Sequence, residues 1–565
     1  MSAPADEADV STDHTRRSLG SGRFQITAPQ VFLPAAGLIV VFVVLTLILP
    51  ERMGGWLDKV NGTVVGDMGW YYVVVVSTFV FFAAWLALSP VGNVVLGKDD
   101  DEPEFGLGSW FAMLFAAGMG IGLVFWGVAE PLNHFDSPPP GTASTASTRA
   151  ETAIDVTFLH WGLHAWAIYV IVGLAVAYAV HRKGRPISIR WSLEPLLGAD
   201  RVKGRLGDAI DIIAVVGTLF GVATSLGFGV TQVGAGLTYL GVVDADAETG
   251  EPAKWILLTL IIAITALATL SVATGVDKGI KILSNINMGL AAALLLAVLA
   301  LGPTVFLLSD FVQSIGSYIQ AFFRLSFETL AFQGQDGKAW LSGWTTFYWG
   351  WWISWAPFVG VFIARISRGR TVREFVAGVL LVPTLVTFLW FSVLGGSALH
   401  REMFGEAGLI DPDDGVSTNS ALFQLLDGMP AGTLLSIVAI FLIVVFFVTS
   451  SDSGSYVVDM LASGGDPNPP VWSRVMWAIL EGLVAAALLL ASGATGLGAL
   501  QTMAILLVAP FSVVMILMMF SMAKALLHEH HIRQVAERKL LADEVAGEIV
   551  RRSELGLRKS DSLNT

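Results

Sequence analysis

The chain has 565 residues, of which 54% are hydrophobic and only 14% charged, with a mean hydropathy of +0.68 and a formal net charge of −13. A soluble domain carries about 25% charged residues, so this composition excludes an ordinary water-soluble fold and calls for a bilayer. The acidic balance argues against nucleic acid, which needs a basic footprint, and the absence of cysteine excludes disulfides and thiolate metal sites.

Residues 1–29 form a polar segment with Asp6, Glu7, Asp9, Asp13, Arg16 and Arg17, and no signal-peptide pattern precedes the first apolar run, which predicts a retained span. Runs of about 20 apolar residues cross the hydrocarbon as helix. Twelve are predicted between residues 30 and 523: about 31–50, 70–93, 108–130, 154–181, 209–241, 255–274, 285–308, 342–365, 375–399, 432–460, 473–492 and 498–523. The 309–331 stretch reads as an amphipathic helix, and the 524–565 tail, with basic and acidic residues in near balance, as a solvated one. Basic residues crowd the 181–208 and 365–374 connections, whereas 131–153 and 242–254 each hold a single one. That asymmetry predicts a plasma-membrane protein with both termini cytoplasmic.

Taken in order, the spans carry four unusual features. The third contains Gly118-Met119-Gly120-Ile121-Gly122. Three glycines in five residues invite a helix break whose freed carbonyls could hold a cation, or serve close helix packing. The fourth holds Trp161, Trp166 and Tyr169, with His160 and His164 at i, i+4, the spacing of a metal pair for which no third ligand is evident nearby. The eighth is dense in tryptophan: at 100° per residue Trp351, Trp352, Trp355, Phe358 and Phe362 share a sector of about 120°. Such a face suits either an interfacial belt or a cage for a quaternary ammonium, which offers no N–H and binds π-faces. The tenth span carries Thr449-Ser450-Ser451-Asp452-Ser453, a hydroxyl-rich candidate interruption fit for a hard cation. Glu481, in the eleventh, reads as a proton site or a buried hydrogen-bond partner. Asp411-Pro412-Asp413-Asp414-Gly415 lacks the Glu of a Ca²⁺ loop and reads as an external turn. No GxxxxGK[ST] occurs, which argues against an ATP-driven pump, and no nucleophile–base pair or metal triad suggests an enzyme.

The motifs Phe115-Ala116-Ala117-Gly118-Met119-Gly120-Ile121-Gly122-Leu123, Glu130-Pro131, Trp351-Trp352-Ile353-Ser354-Trp355-Ala356-Pro357-Phe358-Val359-Gly360 and Arg365-Ile366-Ser367-Arg368-Gly369-Arg370 resemble those of the betaine/carnitine/choline transporters, most of all the sodium-coupled glycine betaine importers. The resemblance implies an all-α fold in which spans 3–7 and 8–12 are inverted five-helix repeats, a homotrimer among membrane lipids, and alternating access without a cofactor. It implies a substrate cage of Trp161, Trp166, Tyr169 and Trp352, with Trp355 and Phe362 on the cytoplasmic exit path. It implies Na⁺ at the carbonyls of Ala116, Met119 and Phe446 and the hydroxyls of Thr449 and Ser450. For a second Na⁺ the family uses two threonines one turn apart; Thr218 matches the first and Val222 replaces the second, so either Thr224, Phe358 and backbone oxygens complete the site or the protein couples fewer sodium ions. Proton-coupled members tend to have Asp at the position of Gly122, which favours sodium here. The expected function is Na⁺-coupled import of glycine betaine. The rivals are a choline, carnitine or ectoine carrier of the same fold, proton-coupled or exchanging, and an osmosensor or channel.

Overall fold

The architecture was taken from a computed structural model that describes residues 26–62, 66–118, 120–246, 250–274, 277–492 and 498–561. Its helices, in chain order, begin with α1 (Pro29–Ile48), α2 (Pro50–Val60), α3 (Gly66–Leu88), α4 (Leu107–Gly118), α5 (Ile121–Asp136), α6 (Ala146–Trp161) and α7 (Leu163–Ala177). There follow α8 (Glu194–Leu197), α9 (Ala199–Lys203), α10 (Arg205–Tyr239), α11 (Lys254–Thr274), α12 (Asp277–Leu301), α13 (Thr304–Ser326) and α14 (Gly334–Leu341). The last are α15 (Phe347–Arg365), α16 (Val372–Phe404), α17 (Ala421–Asp427), α18 (Gly432–Ala462), α19 (Val471–Ala491), α20 (Gly498–Leu506) and α21 (Ala509–Asp561). Among the described residues the only strands are Ile410–Asp411 and Gly415–Val416, a short hairpin across the expected external turn.

Among the described residues, ten helical segments are long and apolar enough to cross a membrane. Their outer faces expose Leu38, Val41, Ile262, Leu270 and Leu296, each more than half accessible. Water would penalise such surfaces, and lipid does not. The other two expected spans fall on α4–α5, interrupted into two short pieces, and on α15, whose many indoles lower its hydropathy. The amphipathic segment after the seventh span is α13, which turns Val305, Val312, Ile319 and Phe323 outward and buries Leu307, Ser314 and Tyr318.

Helix pairings recur when the two halves of the chain are exchanged. The contact of α7 with α15 is matched by that of α16 with α5, and α10 with α19 by α18 with α11. Likewise α12 with α16 is matched by α21 with α7, while α10–α18 and α11–α19 map onto themselves. This recurrence is the pairing pattern that the five-helix repeats implied by the resemblance would produce.

Among the described residues, two interruptions bear on the site, apart from the break between α20 and α21 in the expected twelfth span. Between α4 and α5 the chain turns extended at Gly120 (φ −147°), as the glycine run predicts. Between α6 and α7 it breaks at Gly162, where a β-carbon would lie 2.4 Å from the Phe158 carbonyl oxygen and 2.7 Å from the Phe388 ring. The carbonyl of Trp161, released there, accepts the Thr387 hydroxyl at 3.1 Å. The interruption expected in the tenth span is not found: α18 is unbroken. Its hydroxyls serve its own backbone, Thr449 Oγ1 donating to the carbonyls of Val445 (2.9 Å) and Phe446 (3.2 Å), so the helix keeps its ladder.

Basic loop residues are tied down from two directions. Arg190, buried, donates Nε to Asp211 at 2.5 Å and Nη2 to Asp208 at 2.8 Å, while the Ser188 hydroxyl reaches Asp211 at 2.6 Å. Breaking a buried ion pair by removing one partner costs about 3–5 kcal/mol. Asp211→Ala should therefore lower the melting temperature of the detergent-solubilised protein clearly, whereas the same change at exposed Asp200 should leave it within error.

α21 continues past the membrane as one helix and docks on the loops. Arg182 and Lys183 donate to Glu529 at 2.9 and 2.7 Å, and Arg533 donates to the Asn93 carbonyl at 3.0 Å. Burial opposes ionisation of Glu529, but the hydrogen bonds from Lys183 and Arg182 prevail and hold its carboxyl down to about 2, from an ordinary 4.5. A depressed carboxyl stabilises docking fully above its free value and ceases to do so as pH falls through the bound one. The distance between spin labels at engineered cysteines 98 and 536 should stay fixed down to about pH 4.5 and lengthen as pH approaches 2. In Glu529→Gln it should be long at neutral pH.

Candidate functional site

The break at Gly120 and the kink at Gly162 bring two backbones against the aromatic face of α15. A small enclosed space of about 20 Å³ lies there, lined by Gly120, Gly122, Leu123, Trp161, Tyr169, Ser225, Trp351, Trp352 and Trp355. Trp352 meets Trp161 edge-on at 4.8 Å and stacks on Trp351 at 4.6 Å, with Tyr169 6.4 Å away. A β-carbon at Gly122 would approach the Trp351 ring to 2.4 Å, so this glycine makes room for the indole and leaves none for an aspartate. The glycine run thus both breaks a helix and permits close packing.

Each indole N–H in this wall is held by a protein acceptor. Trp161 donates to Glu130 Oε2 (2.6 Å), Trp351 to Ser225 Oγ (3.1 Å), Trp352 to the His160 carbonyl (2.8 Å) and Trp355 to the Gly221 carbonyl (2.9 Å). The lining is chiefly ring surface, with the hydroxyl-bearing Ser225 and Tyr169 beside it. Trp166 packs edge-on against Tyr169 at 5.4 Å but does not itself line the space. Phe362 lies further along α15, with Phe358, on a different cavity.

That second cavity, about 390 Å³, collects most of the cation ligands implied by the resemblance. Ala116, Phe446, Thr449 and Ser450 line it together with Trp355, Phe358, Phe362 and Asn287. Met119 lies outside the described residues. Thr449 donates its proton to backbone carbonyls, which leaves the oxygen lone pairs to face a cation. Phe358, Phe362 and Ser453 are shared with a further cavity beside Arg365 and Arg474, so this space lies on the side of the arginine-rich 365–374 connection. Thr218 is not among its lining residues; its hydroxyl donates to Ala214 at 2.7 Å, and the Thr224 hydroxyl donates to Phe220 at 2.9 Å. Val222 is buried against Gly454.

Opposite, a vestibule of about 550 Å³ is lined by Pro139, Thr142, Phe332, Trp340 and Thr345 among others. Between vestibule and cage sits Glu130, fully buried. Its Oε2 also accepts the Tyr348 hydroxyl, and its Oε1 accepts from His160 Nδ1 at 2.7 Å. The sequence places Glu130 in a motif without a role, gives Tyr348 and Ser225 none, and sets Trp351 only on the shared aromatic face. Their signal is three-dimensional, since three helices, α5, α10 and α15, contribute. Glu481 proves to be a hydrogen-bond partner, accepting from Ser451 at 2.9 Å, with its second oxygen buried and unpartnered.

With this geometry established, comparison with known proteins is informative. A family model described as BCCT, betaine/carnitine/choline family transporter, matches residues 30–531. An uncharacterised transporter of Mycobacterium tuberculosis is 53% identical over 499 residues, 88% of this chain and 82% of that protein. The glycine betaine transporter OpuD of Bacillus subtilis is 46% identical over 87% of this chain and 93% of its own length. Glycine betaine transporter 1 of Vibrio parahaemolyticus is 42% identical over 91% and 96%. The chain is a multi-pass membrane transporter of the betaine/carnitine/choline type, not an enzyme, and belongs to the betaine/carnitine/choline transporter family.

Proposed function

We propose that the chain imports glycine betaine across the plasma membrane in symport with Na⁺, as an osmoprotective transporter. One observation carries the substrate reading: four indoles converge on one space with every N–H already held by a protein acceptor. A trimethylammonium group donates no hydrogen bond and is held by ring faces. Trp161, Tyr169 and Trp352 form the wall, Trp166 braces Tyr169, and Trp355 and Phe362 lead toward the exit. The relatives named as glycine betaine transporters favour betaine over choline, carnitine or ectoine.

The sodium reading is supported by the oxygen-bearing cavity at Ala116, Phe446, Thr449 and Ser450; Met119 enters it through the family resemblance alone. Thr218 and Phe358 mark a second cation position, to which Val222 offers no oxygen; we therefore propose one Na⁺ per betaine. Both termini are cytoplasmic in this reading, with tails at 1–29 and 524–565 flanking the transport domain at 30–523. The homotrimer and its lipid contacts rest on the family resemblance.

Replacing external Na⁺ by K⁺ should abolish betaine accumulation in proteoliposomes; undiminished accumulation contradicts coupling. Trp352→Leu removes a desolvated ring worth about 2 kcal/mol, so betaine affinity should fall roughly 30-fold. Binding calorimetry that finds the affinity unchanged rejects the cage. Under a Na⁺ gradient, unlabelled betaine should outcompete choline, carnitine and ectoine against labelled betaine.

A further inference from the structure

His134 is fully buried, yet its Nδ1 has no hydrogen-bond partner and its Nε2 has only a long contact to Glu130. Buried polar atoms are rarely left so, and an exception calls for a physical reason. Its Nε2 faces Glu130 Oε1 at 3.4 Å, one turn back along α5, and its ring lies 4.4 Å from Trp344. From α6, His160 brings Nδ1 to 2.7 Å from the same oxygen. One ligand atom from each of the three residues falls within 4.8 Å of the others. Four ligands held tetrahedrally at ~2.0 Å stand about 3.3 Å apart, close to the separation that His134 and Glu130 already show.

We propose that Glu130 Oε1, His134 Nε2 and His160 Nδ1 form a binding site for a divalent transition metal of the Zn²⁺ or Co²⁺ kind. Two nitrogens and one carboxylate oxygen suit a borderline-soft ion, and the tightly bonded sodium ligands lie on another cavity. Orienting contacts are in place. His160 Nε2 bonds Thr345 Oγ1 at 3.0 Å, and Glu130 Oε2 is held by Trp161 and Tyr348. Such outer contacts fix ligand orientation and sustain affinity. An entry route exists as well, because Thr345 and Trp340 line the 550 Å³ vestibule, and Trp340 packs on His134 at 5.4 Å. Binding takes the Nδ1 lone pair of His160, so the ring's proton moves to Nε2, where it is donated to Thr345 Oγ1, and the metal joins α5 to α6 through the carboxylate that anchors Trp161. The His160–His164 spacing is not the metal pair, because the kink at Gly162 separates them and His164 instead stacks on Trp349 at 5.5 Å.

The test is Co²⁺ titration of the purified full-length protein, in which His528, His530 and His531 are changed to Gln so that the tail cannot compete. The expected result is one saturable visible d–d band per chain, displaced by Zn²⁺, lost in His134→Gln and weakened about tenfold in Thr345→Val. Absence of the band overturns the proposal, as does a band of undiminished affinity in His134→Gln. Both variants are compared at matched thermal stability, and Glu130→Asp serves as the second ligand variant if His134→Gln does not fold. Transport plays no part in the readout, so the result stands apart from the reading of substrate and coupling ion.

Discussion

The hydrogen bonding of the cage indoles is the interaction on which the rest of the structure depends. An indole carries one donor and two faces. Once the donor is held by Glu130, Ser225, or the carbonyls of His160 and Gly221, the ring cannot rotate without breaking a buried bond, and an unpaired donor in that interior costs about 1–3 kcal/mol. The same bonds therefore fix the rings and occupy the indole donors. Ring faces then make up most of the wall, the surface that suits a methylated cation. The carboxyl of Glu130, accepting from Trp161 and Tyr348 together, anchors the wall from behind.

Glycine supplies the space that this wall requires. Gly122 admits the edge of Trp351, Gly221 admits Ser354, and Gly162 allows α6 to kink where Phe388 presses in. With a space of only about 20 Å³ between them the rings are drawn together, and the proposed betaine site opens only if they part. Larger cavities lie on either side, a vestibule near Trp340 and an oxygen-lined space near Phe358. The chamber thus stands between two separate approaches, the arrangement that alternating access requires.

Much of this was legible in the sequence, for physical reasons. Long apolar runs have one solution in lipid, so the helices, their approximate limits and the glycine break followed from hydropathy and helix propensity. The tryptophans of α15 announced themselves by periodicity. Periodicity did not separate Trp351, Trp352 and Trp355, at the chamber, from Phe358 and Phe362, which share their stripe but lie further along the helix on another cavity. The hydroxyl run of α18 suggested an interruption because serine and threonine compete for backbone groups; in the fold Thr449 bonds back to its own helix and the competition leaves the helix intact. Glu130, His134 and Tyr348 escaped notice because their meaning lies in helix α5 meeting α6 and α15, and one-dimensional spacing shows only the Glu130–His134 turn.

The central claim is that ring faces bind a positive charge, beyond the fit of three methyl groups. Calorimetry should compare glycine betaine with 3,3-dimethylbutanoate, in which carbon replaces the quaternary nitrogen and shape is kept. The account predicts that betaine binds at least about 30-fold more tightly, the equivalent of one desolvated cation–π contact. Equal affinities for the two would contradict it.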